Sequence, residues 1–241
     1  MSSDVRFTTE NIDQYMKALA KAYRKLGGRN TPAEIILIGG AAVLTDYGFR
    51  EATYDIDAII TASSVMKDAI RAVGDEFNLP NGWLNEDFRK TASYSPKLVQ
   101  YSQYYKSFYG VVTVRTVTAE YLVAMKMMSA RQYKNDLSDI VGIIGEHQRK
   151  NAPLTFDRID RAVRELYGSW DRISADTIDL VKSALNTPDA SALYERCRAS
   201  ESEAEAILLD FQERQPDQVR EMDIASVLQM AKGLKNEGTS S

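Results

Sequence analysis

Residues 35–60, IILIGGAAVLTDYGFREATYDIDAII, constrain this chain more than any other stretch. They read as an apolar strand, a Gly39-Gly40 turn, a short helix, an Arg50-x-x-Thr53 approach, and a second apolar strand carrying Asp55-x-Asp57. Alternate residues of a strand share a face, so the two acids are expected on one side, about 7 Å apart along the chain. Acids are depleted in strands, and two like charges on one face repel unless a cation sits beside them. The apolar run 58–60 argues against a solvated strand edge. A glycine pair alone signals only a turn with positive φ. Here it ends a buried strand and opens a helix, where free N–H groups and the positive end of the helix dipole favour phosphate. Carboxylate oxygens with few other protein ligands suit Mg²⁺ that is shared with substrate phosphates. The stretch points to metal-assisted chemistry on a nucleoside triphosphate.

Composition narrows the alternatives. The single histidine, His147, and single cysteine, Cys197, leave no His/Cys zinc cluster and no internal disulfide. His147 lies in GEHQRK, at the end of a predicted helix, where a cation-compatible side chain is expected without any catalytic role. Catalysis would therefore run on carboxylates, lysines and hydroxyls. No apolar run approaches the roughly 18 residues of a membrane span, and MSSDVRFTTEN lacks the apolar centre of a signal peptide. A soluble, cytoplasmic protein with no membrane partner is the expectation.

The chain divides near residue 150. Residues 1–150 mix strands and helices, with predicted helices at 9–26, 40–47, 63–77, 118–128 and 137–149 and strands at 34–38 and 53–60. Residues 97–108 and 111–117, separated by Tyr109-Gly110, read as a hairpin. Residues 83–91 read as a short helix or an ordered loop. From residue 151 to about Leu234 the chain looks helical, with starts at Thr155, Ser174, Asp189 and Asp217 and breaks at 168–169, 187–188 and Pro216, and it ends in a frayed tail, NEGTSS. The tyrosines of the hairpin region favour cross-strand packing over base stacking. Residues 1–150 carry 19 Lys and Arg against 17 Asp and Glu, and 151–241 carry 11 against 17. The acidic second part is a poor nucleic-acid clamp, whereas the near-neutral first part leaves room for a local basic groove.

A third segment, KMMSARQYKNDLSD at 126–139, places Lys126 on an otherwise apolar Met-rich helix and Asp136 and Asp139 one turn apart on the next. Surface salt bridging explains any one of these residues. As a group they supply partners for phosphate and metal.

The order GG, R-x-x-T-x-D-x-D, K-x-x-x-A-R and D-x-x-D-I resembles the nucleotidyltransferase superfamily of DNA polymerase β type, and most of all its bacterial AbiEii-like branch, whose members often act as toxins of toxin–antitoxin pairs. The resemblance covers about residues 34–145, and GG…DxD is its specific part. It implies an α/β (α+β) nucleotidyltransferase core, a small mixed sheet flanked by helices, in 1–150, followed by an all-helical domain in 151–241. It implies Gly39 and Gly40 at the triphosphate, with Arg50, Thr53, Lys126 and Arg131 as nucleotide-binding residues. Asp55 and Asp57 would hold Mg²⁺. Lys126 would contact phosphate or offset developing charge, and Asp136 or Asp139 would supply a further acid or order the Lys and Arg side chains. The implied activity is transfer of a nucleoside monophosphate from an NTP to a hydroxyl of RNA (tRNA included), protein or a small molecule, in a toxin or phage-defence setting with a cognate antitoxin as partner. One departure stands out. Many members place a third carboxylate on the strand after the DxD strand, and the strand at 111–116 has none; Arg115 stands about there. The alternative is a weak or inactive nucleotidyltransferase fold that works by binding a partner protein.

Overall fold

The computed structural model describes residues 5–214 and residue 227. Helix α1 (Thr9–Lys25) opens where Asn11 Oδ1 accepts the Thr8 N–H at 2.8 Å, and it buries Ile12, Met16, Leu19 and Tyr23 at the expected helical spacing. Gly27, at φ +107, ends it. The sheet follows: β1 (Ala33–Leu37), β2 (Ile56–Thr61), β3 (Leu84–Asn85), β4 (Ser102–Phe108) and β5 (Val112–Val117), in the spatial order β3-β2-β1-β5-β4. The central strand β1 is antiparallel to β2 and parallel to β5. It is apolar on both faces because helices cover both. Helix α2 (Gly39–Asp46) joins β1 to β2, and α3 (Val65–Phe77) packs beside α1. The β4–β5 hairpin turns through Tyr109 (φ +51) and Gly110 (φ +65), as the sequence suggested.

Helix α4 (Ala119–Ser129) is buried nearly all round, Lys126 included. Helix α5 (Asp136–Arg149) lies against it, and α6 (Phe156–Tyr167), α7 (Ala175–Asn186) and α8 (Ser191–Arg214) pack around the pair. Thr155 and Ser174 cap α6 and α7 by accepting the N–H of Arg158 and Thr177, each at 3.3 Å, and Asp189 accepts from Ser191 N–H at 2.9 Å. One continuous apolar cluster runs from Phe7 and Ile35 through Leu122 and Ile143 to Ile159 and Val181. The mixed sheet flanked by helices, followed by helices alone, is the architecture of a nucleotidyltransferase core with a helical extension. The expected helix start at Asp217, the break at Pro216 and the NEGTSS tail lie outside the described residues.

Three boundaries differ from expectation. The second strand starts at Ile56 rather than residue 53, because Thr53 is already committed elsewhere: it exchanges two backbone hydrogen bonds with Phe7, at 2.7 and 2.9 Å. Ile56 N–H then turns to Trp83 O at 3.0 Å. Asp55 falls between these two pairings and precedes the strand. Residues Pro96–Tyr101 form a 3₁₀ turn rather than the start of β4, consistent with a proline that cannot donate to a ladder. Residues 83–91 hold both the short β3 and a 3₁₀ turn, Asp87–Lys90.

Candidate active site

The site is built where β1 ends. Ile38 N–H still bonds Asp57 O at 3.1 Å, and the chain then turns at Gly39 into α2. Gly39 has φ +55, a conformation in which an L side chain is strained. A Cβ there would lie 3.8 Å from Asp57 Oδ2, so this carboxylate sits against the start of α2. Gly40 answers a different need, close approach. A Cβ on it would come within 2.7 Å of Thr53 Oγ1 and 2.9 Å of an Arg50 guanidinium nitrogen. The two glycines thus admit an acid on one side and an Arg–Thr pair on the other.

Asp57 is half-buried on β2 and Asp55, just before it, is exposed. Burial pushes the Asp57 carboxyl up to about 6, and the charge of Asp55 adds to the effect; Arg131 and Lys126 pull the other way. An acid pair so arranged gains from any cation placed at it. The donor set offers hard oxygens only, which suits Mg²⁺. Among the described residues no group of three or more His, Cys, Asp or Glu converges as a metal cage. An ion held here by Asp55 and Asp57 would have to complete its coordination from water or a bound ligand.

Behind the acids runs a chain of five alternating charges. Arg50 meets Asp139 at 2.6 Å, Asp139 meets Lys126 at 2.8 Å, Lys126 meets Asp136 at 2.8 Å, and Asp136 meets Arg131 Nε at 2.8 Å. Asp136 also accepts the Arg131 backbone N–H at 3.2 Å. Asp136 and Asp139 occupy the first turn of α5, where the helix dipole favours them. Ala130, at φ +39, ends α4 and turns the chain so that Arg131 returns over Asp136. Burial alone would raise the Asp136 carboxyl, but the Lys126 ammonium and Arg131 guanidinium outweigh it and hold it well below the usual range. Burial likewise opposes the Lys126 charge, and its two carboxylate partners reverse the effect. Asp136 and Asp139 are almost fully buried, whereas Arg131 stays 43% exposed. Lys126 donates to Asp136, is ion-paired with Asp139, and lines the cavity.

That cavity, about 220 Å³, is lined by Gly39, Asp55, Asp57, Lys126, Arg131 and Asp136, with Phe88, Thr91, Ser93, Met125 and Ser129 completing the wall. Gly40, Arg50, Thr53 and Asp139 stand behind the lining. Two larger hollows, about 470 and 530 Å³, lie along α1, away from these groups. Arg115 is not at the cavity. It lies on β5, aligned with Ile36 of β1, and donates from Nε to Ser102 Oγ at 2.8 Å and from a terminal guanidinium nitrogen to Ser102 O.

Two residues at the site were not legible in the sequence. Asp87 follows β3, whose Asn85 is aligned with Asp57, and it brings a third carboxylate to the cavity rim, exposed and paired with Lys90 at 2.7 Å. The short β3 that carries it there gave no periodic signal. Glu201 of α8 is buried, and its Oε1 accepts the N–H of Leu137 at 2.7 Å and of Ser138 at 3.3 Å, capping the turn that bears Asp136 and Asp139. Nothing in the local sequence marks it.

A mixed sheet whose central strand feeds a Gly-Gly helix start facing one acid on β2 and another just before it defines a nucleotidyltransferase core. Residues 14–145 match the model of a family described as a nucleotidyltransferase of unknown function, DUF6036, and this chain belongs to that family. No protein of curated function and no solved structure matches the chain.

Proposed function

We propose that this protein is an Mg²⁺-dependent nucleotidyltransferase that moves a nucleoside monophosphate from an NTP to a hydroxyl of RNA, tRNA among them, or of a protein or small molecule. The observation that carries the reading is Asp57 set against the α2 start at Gly39, with Lys126 and Arg131 lining the same 220 Å³ cavity. A space of that size suits a phosphate chain and leaves the base outside. The N–H groups at the α2 start would receive the triphosphate. Asp55 and Asp57 would hold Mg²⁺, which supplies Lewis acidity at the phosphoryl oxygens. The acceptor oxygen forms its bond to the α-phosphorus as the bond to the bridging oxygen of pyrophosphate breaks. The proton of the acceptor passes to solvent. Lys126 and Arg131 offset charge on the leaving pyrophosphate. Asp136 and Asp139 serve here as holders of the cations, since each is already bound to two positive partners. Resemblance to the AbiEii-like branch extends the proposal to a toxin or phage-defence role with an antitoxin partner.

A second reading is a weak or inactive member that acts by binding a partner protein. It is favoured by Arg115 in place of an acid on β5 and by the exposure of Asp87.

The test is incubation of the purified protein with Mg²⁺ and each α-labelled NTP, with RNA, with itself and with small hydroxyl acceptors. Label transfer with pyrophosphate release, lost in Asp57→Asn, is the expected result. No transfer, no release and no nucleotide binding with any of the four NTPs would overturn the first reading.

A further inference from the structure

Helix α1 carries a charge feature that the cavity does not use. Lys17, Lys21 and Lys25 recur every fourth residue, Arg24 and Arg29 flank them, and no acid occurs between Asp13 and Glu34. None of these five cations has an ion-pair partner among the described residues. Many other surface cations are paired: Arg71 with Asp68, Lys90 with Asp87, Arg149 and Lys150 with Glu146, Arg164 with Asp160. The three lysines are exposed and line the hollow of about 470 Å³ between α1 and α3, where Glu76 of α3 is the one acid of the lining. Tyr109, at the tip of the β4–β5 hairpin, closes one end, 45% exposed and with the Arg24 guanidinium 5.8 Å from its ring centre. The second hollow, about 530 Å³, continues past Lys17 to Phe108 and to Lys106 on β4, which is paired with Asp13. In a chain of net charge −4 this face is locally the opposite.

We propose that this face binds RNA along its phosphate backbone and thereby presents the acceptor. The binding stands on the observations above; its role as acceptor docking rests on the nucleotidyltransferase reading. Steps of four residues at 1.5 Å rise place successive lysines about 6 Å apart along the axis, in a row inclined about 26° to it, so a phosphodiester strand laid obliquely across α1 meets them in turn. Tyr109 offers a ring face on which an unpaired base stacks. The helix begins beside the Phe7–Thr53 pairing, two residues before Asp55, and is roughly 25 Å long. An RNA seated on the lysines and reaching the acids is thus longer than a few nucleotides.

The experiment is fluorescence anisotropy with a labelled RNA hairpin bearing a single-stranded 3′ end, at KCl from about 50 to 200 mM. Wild type should bind with a slope of log K against log salt near −3.5 if all five cations meet phosphates, at about −0.7 each. Lys17→Gln/Lys21→Gln/Lys25→Gln should bind at least about tenfold more weakly, with a slope shallower by about 2. Unchanged thermal unfolding of this variant, whose three positions are exposed, excludes a folding defect. Asp57→Asn should bind as wild type. The proposal is overturned if the triple variant binds like wild type, if no RNA binds at low salt, or if polyglutamate of equal charge competes as well as RNA, which would mark an acidic-protein site. RNA binding without pyrophosphate release would sink the catalytic reading and leave this one standing. Nucleotidyl transfer to small acceptors without RNA binding would do the reverse.

Discussion

Glu201 Oε1 accepts the backbone N–H of Leu137 at 2.7 Å, across 64 residues of sequence, and its second oxygen, Oε2, is buried with no partner. A carboxylate from the last described helix thus fixes the first turn of α5, and with it Asp136 and Asp139. Glu201 lies outside residues 14–145, the part that defines the family. The helical extension is in this sense part of the site's scaffold.

Glu201→Ala leaves the N–H groups of Leu137 and Ser138 buried and unbonded, and should cost about 1–3 kcal/mol in urea unfolding. Glu201→Gln keeps an acceptor at Oε1 and should lose far less. Equal losses in the two variants would show that the cap contributes nothing.

The same carboxyl carries a pH signature. Burial raises it from its ordinary 4.5 to about 7 despite the hydrogen bonds from Ser138 and Leu137. The native state then holds its proton more tightly than the unfolded chain between those values. Its contribution to stability is fully present below about 4.5 and lost as pH rises through about 7. Wild type should therefore weaken relative to Glu201→Gln between pH 5 and 8.5, read as a shift in urea midpoint. Parallel midpoints for the two proteins would refute this.

Lys126→Met strands Asp136 and Asp139 without their shared cation, and should destabilise by about 3–5 kcal/mol. Lys126→Met/Asp136→Asn should recover part of that loss, because the second change removes one of the stranded charges. A double-mutant cycle reads the coupling; strict additivity would mean the pair is energetically idle.

Gly40→Ala drives a methyl into Thr53 and Arg50, and should cost about 1–3 kcal/mol. Gly39→Ala keeps space around it but is strained by φ +55, at about 1–2 kcal/mol. Calorimetric titration with NTP and Mg²⁺ should show weaker binding in both variants, and unaltered affinity in Gly40→Ala would remove Thr53 and Arg50 from the phosphate site.

Asp57→Asn should be as stable as wild type or more so at pH 8 without divalent ions, by about 1 kcal/mol after allowance for solvent screening. Its carboxyl is raised by burial and by Asp55, so ionising it costs the fold. Mg²⁺ with NTP should raise the melting temperature of wild type alone. A matching rise in Asp57→Asn would take the metal away from this residue.

The strand, glycine turn, helix and hairpin were legible because each is local: apolar runs of strand length, glycines where φ turns positive, and Thr or Ser where a helix needs an acceptor. The Lys126–Asp139 segment was legible as a charged insertion among apolar residues. Three things were not. Asp55 leaves the strand because Thr53 pairs with Phe7, a partner 46 residues away that no pattern announces. Asp87 reaches the cavity through a two-residue strand, too short for any period. Glu201 sits on a helix whose apolar pattern is weak, and its role depends on which helix end it meets.

The order in which the chain is made gives the α8 cap a further meaning. Arg50, Lys126, Asp136 and Asp139 are all synthesised before Glu201 exists. A growing polypeptide therefore carries the complete set of charged groups while the turn that aligns two of them still lacks its acceptor. By this arrangement the site acquires its order only once nearly all of the described chain has emerged from the ribosome.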